Sequence, residues 1–90
     1  MILVIYDIRS DKRRRKSVKL LESVGIRVQY SAFECSLSPA ALDRLKARLK
    51  KILAPEDSVR MYMFGENVKV SDIGQMPSVS DIDVSGYISI

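Results

Sequence analysis

The segment "ILVIYDI", Ile2 to Ile8, restricts the fold more than any other stretch of the chain. Its residues are mostly β-branched or aromatic, and both phases of the period-2 alternation are apolar. Ile2, Val4, Tyr6 and Ile8 share one side; Leu3 and Ile5 share the other. Such a run is expected as a central strand covered on both faces. The second side ends in a carboxylate, Asp7, and five consecutive cations, Lys12 to Lys16, follow soon after. An unpaired carboxylate on a covered strand costs on the order of several kcal/mol, so Asp7 calls for a cation, a hydrogen-bond donor or a metal ion.

The remaining elements follow from capping and periodicity. Ser10 or Asp11 caps a helix expected over about 12–24, with Arg14, Ser17, Val18, Leu21 and Val24 on one stripe and Gly25 as its C-terminal stop. Between Ile26 and Leu37 the apolar phase changes near Ala32, which marks either a bulge or two short strands meeting at a turn. "SPAALDRLKARLKKIL" is a helix with Ser38 as N-cap, Pro39 at the first helical position and an apolar stripe of Leu42, Leu45, Leu49, Ile52 and Leu53. Pro55 ends it, "SVRMYMF" alternates as a strand, and "NVKVSDI" reads as a shorter one. The order β-α-β-β-α-β is that of an α+β, ferredoxin-like domain: an antiparallel sheet with both helices on one face. The expected domain spans residues 1–74, with 75–90 as a C-terminal tail or an arm exchanged between copies.

At 90 residues the chain is near the small end of what buries a self-sufficient core. A ferredoxin-like sheet leaves one face open, so a symmetric homodimer is expected to cover it. Residues 1–54 hold 13 basic and 5 acidic side chains, whereas 55–90 hold 2 and 6. So dense a basic block suits a polyphosphate partner better than a merely solvated helix face. Cations at a helix N-terminus oppose the macrodipole, which points the run Lys12–Lys16 at something outside the helix. With one cysteine and no secretory signal pattern, the chain is expected to be intracellular and cytoplasmic, with no membrane association. The absence of histidine removes Ser-His-Asp and Cys-His catalysis and imidazole zinc sites. Cys35, in a strand pattern, is expected as a buried inert thiol, and Tyr6, Tyr30, Phe33 and Tyr62 as core or interface groups rather than base-stacking ones. Magnesium ligation by Asp7 is the functional alternative to a structural strand-end acid; one carboxylate is few, but a two-fold axis nearby would bring two.

The ordered motifs "YDI", the basic first helix, "RVQYSAFEC", "LSPAALDRLKARLKKIL" and "DSVRMY" resemble the small CRISPR-associated endoribonuclease family that partners the CRISPR integrase, over about residues 1 to 70. The resemblance implies a ferredoxin-like homodimer whose two Asp7 carboxylates share a magnesium ion. It also implies metal-dependent cleavage of RNA or DNA, and a role in spacer acquisition beside the integrase subunit. It assigns Asp7 as the catalytic and metal-binding residue, Tyr6 and Phe33 as interface or supporting residues, and Arg14 and Arg27 to phosphate contact. Arg13, Arg15 and Lys16 join them as nucleic-acid-binding candidates. Lys16 stands where the family often has arginine, which keeps the charge but loses bidentate recognition. Three other readings remain: a non-catalytic nucleic-acid scaffold, a related ferredoxin-like ribonuclease toxin, and a small-molecule regulator, the last disfavoured by the lack of a glycine-rich phosphate loop.

Overall fold

A computed structural model describes residues 1–65, 69 and 71–74. The element order is β1 (Ile2–Asp7), α1 (Asp11–Glu22), β2 (Gly25–Gln29), β3 (Ala32–Cys35), α2 (Pro39–Ile52) and β4 (Ser58–Met63). The sheet order β2-β3-β1-β4, antiparallel throughout, is the ferredoxin-like arrangement expected from the sequence. The strand expected at 67–73 falls mostly outside the described residues, and its described positions, 69 and 71–73, carry no strand. The tail 75–90 lies outside them altogether.

Register assigns each residue to a face. On the helix side the cross-strand rows are Gly25–Cys35–Ile2–Met63, Arg27–Phe33–Val4–Met61 and Tyr6–Val59. Against them pack Leu21 of α1, Val24, and Leu42, Leu45 and Leu49 of α2, all nearly excluded from solvent. The opposite face carries the rows Ile26–Glu34–Leu3–Tyr62, Gln29–Ala32–Ile5–Arg60 and Asp7–Ser58. Among the described residues β1 is therefore covered on one face only: Ile5 is 39% exposed, and Asp7 is exposed at the strand end. Among the described residues nothing imposes the expected desolvation cost on Asp7, whose side chain is 67% exposed.

Both readings of the 26–37 segment hold, since β2 and β3 meet at a turn over Tyr30 and Ser31 and β2 also shifts register between Arg27 and Gln29. Ser10 caps α1 by accepting from the Arg13 N–H at 3.3 Å, and Ser38 caps α2 by accepting from Ala41 N–H at 3.2 Å. α1 ends at Glu22, two residues earlier than its periodicity predicts, with Ser23 N–H and its hydroxyl both donating to the Leu20 carbonyl. Gly25 is not the helix stop. It opens β2 without a positive φ, and a Cβ there would lie 2.3 Å from the Glu34 carbonyl oxygen and 2.6 Å from Cys35 Sγ. Glycine is required by how closely β2 lies on β3. Ser17, read as part of the apolar stripe, is fully buried, and its hydroxyl lacks a hydrogen-bond partner among the described residues.

Candidate nucleic-acid interface

The basic run is divided by its partners. Arg13 forks onto Asp57, with Nε donating to Oδ2 at 2.6 Å and Nη2 to Oδ1 at 3.1 Å, and Nη2 also reaches Glu56 Oε1 at 2.9 Å. The Arg9 N–H donates to Asp57 Oδ1 at 3.0 Å, and the Ala54 N–H to Oδ2 at 2.9 Å. The Asp57 side chain is fully enclosed, and its hydrogen bonds from Arg13 hold the carboxyl well below the usual carboxylate range despite burial. The same hydrogen bond raises Arg13 above the ordinary arginine value. Arg13 thus ties the start of α1 to the turn between α2 and β4, its guanidinium committed to Asp57 and Glu56.

Arg14 is partly committed as well: Nη1 donates to the Ile8 carbonyl at 3.0 Å, and Nη2 pairs with Asp11. These acids answer much of the charge conflict at the helix start, so the placement of the run does not by itself demand an external anion. Arg15 and Lys16 are exposed with no partner among the described residues. Arg27, on edge strand β2, lays its guanidinium over the Phe33 ring at 5.5 Å. Phe33 is fully buried, its ring 6.2 Å from that of Tyr6.

Two hollows flank the C-terminal end of β1. On the helix side a cleft of about 460 Å³ brings together Tyr6, Arg14, Arg15, Lys19, Arg27 and Tyr30. On the open face a hollow of about 350 Å³ holds Asp7 beside Ile5, Ser58, Arg60 and Tyr62. Asp7 is two-thirds exposed and lies 3.8 Å from Arg9, which is the cation it finds; the run Lys12–Lys16 does not supply one. Lys16 lines neither hollow. Tyr30 is 80% exposed in the single chain, which rules out the core half of the core-or-interface expectation drawn from the sequence. Cys35 is buried as expected, and burial pushes its thiol up to about 12.

Among the described residues no three metal-ligating side chains gather into a cage. Magnesium takes one or two carboxylates, with water and phosphate oxygens completing the shell. An exposed Asp7, or two brought together, fits that demand; a calcium-type cage does not. Sequence reasoning missed Asp57, whose partner Arg13 lies 44 residues away. Only the turn signal "APEDS" was there to find it. Among the described residues no helix is long and apolar enough to cross a membrane.

Sheet order, helix placement and a strand-end acid beside a basic helix define a ferredoxin-like α+β domain with a candidate phosphate-binding surface. The chain belongs to the Cas2 family: the family profile described as "CRISPR associated protein Cas2" matches residues 1–71. It is 43% identical over 82 residues to "CRISPR-associated endoribonuclease Cas2 3" of Synechocystis, covering 89% of each chain. To "CRISPR-associated endonuclease Cas2 2" of Thermus thermophilus it is 39% identical over 82 residues, covering 90% of this chain and 91% of the relative. Among solved structures, a hypothetical protein from Thermus thermophilus superposes with a TM-score of 0.74 at 40% identity, covering 86% of this chain and 93% of the other. Cas2 of Streptococcus pyogenes superposes with a TM-score of 0.68 at 38% identity, covering 79% and 98%.

Proposed function

We propose that this chain acts in CRISPR spacer acquisition as a nucleic-acid-binding homodimer beside the integrase subunit, and that it hydrolyses phosphodiester bonds with magnesium at Asp7. The observation that carries the reading is the position of Asp7: exposed at a strand end, on a sheet face that also presents Ile5 and Tyr62 to solvent. Covering that face with a second copy about a two-fold axis would remove the apolar residues from water and set two Asp7 carboxylates near one another. The relatives named as endonuclease and endoribonuclease support hydrolysis. Bound magnesium supplies Lewis acidity and charge neutralisation at the phosphate. The protein's own part is to hold the carboxylate at the end of a rigid ladder, through the Asp7–Ser58 pair, and to draw the nucleic acid with Arg14, Arg15, Lys16 and Arg27. These cations read phosphate, so binding is sequence-tolerant and falls steeply with salt.

A second reading, a scaffold that cleaves nothing, is favoured by the one carboxylate that the described residues place in this hollow and by the nearness of Arg9, which competes with a metal ion for Asp7. Asp7→Asn separates the two, because it keeps size and much hydrogen bonding but removes the charge that magnesium needs. Light scattering first establishes that wild type and variant are dimers. Magnesium-dependent cleavage is then expected to fall by orders of magnitude in the variant, while binding in chelator holds or rises slightly. Wild-type cleavage in the variant would refute the assignment of Asp7. A dimer that binds DNA and integrase but cleaves nothing with either protein would establish the scaffold.

A further inference from the structure

The cleft on the helix side of the sheet has no part in ligating a metal at Asp7, yet it gathers four cations against one acid, Glu22. We infer that it is a subsite for an unpaired nucleotide of a single strand, the base stacking on Tyr30 and the adjoining phosphates meeting Arg15, Lys19 and Arg27.

Three features define the ligand. Tyr30 sits on the two-residue turn joining β2 to β3, 80% exposed, and its carbonyl accepts the Tyr6 hydroxyl at 3.0 Å. Its ring is therefore presented to solvent from an anchored backbone, and a flat apolar face so placed suits an aromatic base. Arg15 and Lys19 stand one helical turn apart on the same stripe of α1, without partners among the described residues. Arg27 lines the same cleft from β2, its guanidinium carbon 5.5 Å from the Phe33 ring centroid and its N–H groups without a hydrogen-bond partner among the described residues, so they are available to a pair of phosphate oxygens. Cations on both walls suit the spaced charges of a phosphodiester chain better than a lone phosphate. The volume of about 460 Å³ admits a base with its sugar.

A duplex keeps its bases stacked on one another and offers Tyr30 no free face, so the subsite selects unpaired nucleotides. An acidic peptide would meet the cations but leave the tyrosine without a planar partner. Tyr6 lines both this cleft and the hollow that holds Asp7, the next residue. A strand bound here lies at the same end of the sheet as the carboxylate. The inference extends the nucleic-acid reading above but needs neither magnesium nor Asp7.

The test uses the full chain in chelator, with fluorescence anisotropy of labelled oligonucleotides about 12 nucleotides long, as single-stranded DNA, single-stranded RNA, duplex DNA and an abasic single strand. Tyr30→Ala is expected to weaken single-strand binding roughly 5- to 100-fold and duplex binding by less than about twofold. Tyr30→Phe, which keeps the ring, should bind as wild type does. The abasic strand should bind wild type about as weakly as the normal strand binds Tyr30→Ala. Arg15→Ala combined with Lys19→Ala should flatten the single-strand dependence of log K on log salt by about 1.4, near 0.7 for each contact. Glu22→Gln should strengthen binding by removing the anion from the wall. Preference for RNA over DNA would place the 2′-hydroxyl in the cleft, and equal affinity would show that base and phosphate suffice; each upholds the subsite. Equal losses for duplex and single strand in Tyr30→Ala, or an abasic strand that binds as tightly as a normal one, would overturn it. Tyr30-dependent binding without any cleavage by wild type would uphold the subsite and refute the hydrolytic reading alone.

Discussion

Phe33 is the residue whose substitution most sharply separates packing from chemistry. It is fully buried, paired in register with Val4 and Arg27, packed against Tyr6 and capped by the Arg27 guanidinium. Truncation to alanine should cost about 3–5 kcal/mol. Against a total of about 5–14 kcal/mol for a 90-residue domain, at 0.05–0.15 per residue, that threatens the fold itself. Phe33→Leu is the informative change, because leucine refills most of the space. What it loses is the aromatic pair with Tyr6, about 0.5–1.5 kcal/mol, and the Arg27 contact, about 0.5–1 kcal/mol. A total of about 1–2.5 kcal/mol corresponds to a midpoint lowered by roughly 4–20 °C for a domain of this size. Thermal and urea unfolding, followed by far-UV circular dichroism at one fixed protein concentration, measures it. The proposed single-strand binding and magnesium-dependent cleavage, measured below the midpoint, should stay within a fewfold of wild type. A Phe33→Leu protein with wild-type stability and no cleavage would refute the argument, since Phe33 would then act on the substrate rather than on the core.

Gly25→Ala should destabilise by at least the about 1–3 kcal/mol of an overpacked core, because the new methyl meets the Glu34 carbonyl and Cys35 Sγ; a urea midpoint equal to wild type would contradict the close approach. Asp57 has a depressed folded-state pKa, so its contribution to stability is complete above the unfolded value of about 3.9 and is lost as pH falls below it. Urea midpoints should therefore drop below about pH 4, and Asp57→Asn should be weaker at neutral pH with a shallower acid limb; equal limbs would rule out the Arg13 clamp as its source. With its thiol pushed up to about 12, Cys35 should resist a thiol reagent at pH 8 in the native protein and react fully in urea; rapid native labelling would mean that the sheet opens.

What could be read from the sequence was what local pattern encodes. Ser10, Ser38 and Pro39 mark helix starts because capping is settled within three residues. The alternation of β1 and β4 placed Tyr6 and Asp7 on opposite faces before any contact was known. Gly25 carried an ambiguous signal, since a glycine after a helix stripe looks the same whether it ends the helix or yields to a neighbouring strand. The division of labour within Lys12–Lys16 was not legible. Five adjacent cations look equivalent until Asp57 and Asp11 claim two of them, and one of those acids arrives from 44 residues away. The exposure of Tyr30 likewise depends on where the hairpin turns, which the register shift between Arg27 and Gln29 decides.

The alternation along β1 also governs how the chain avoids folding wrongly. Ile2 and Val4 on one side and Leu3 and Ile5 on the other are nearly interchangeable as core residues, so apolar burial alone scarcely distinguishes the native pairing from one slipped by a single position. The strand's last two residues break that near-degeneracy. In the slipped pairing Tyr6 would turn out to water and forfeit its hydrogen bond to Tyr30, while Asp7 would enter the layer of Phe33 and Leu45 as an uncompensated charge. Asp7 therefore acts as a proofreader of strand assembly whether or not it ever meets a metal ion. Any apolar replacement there should yield more off-register protein, visible as a slower or heterogeneous refolding phase.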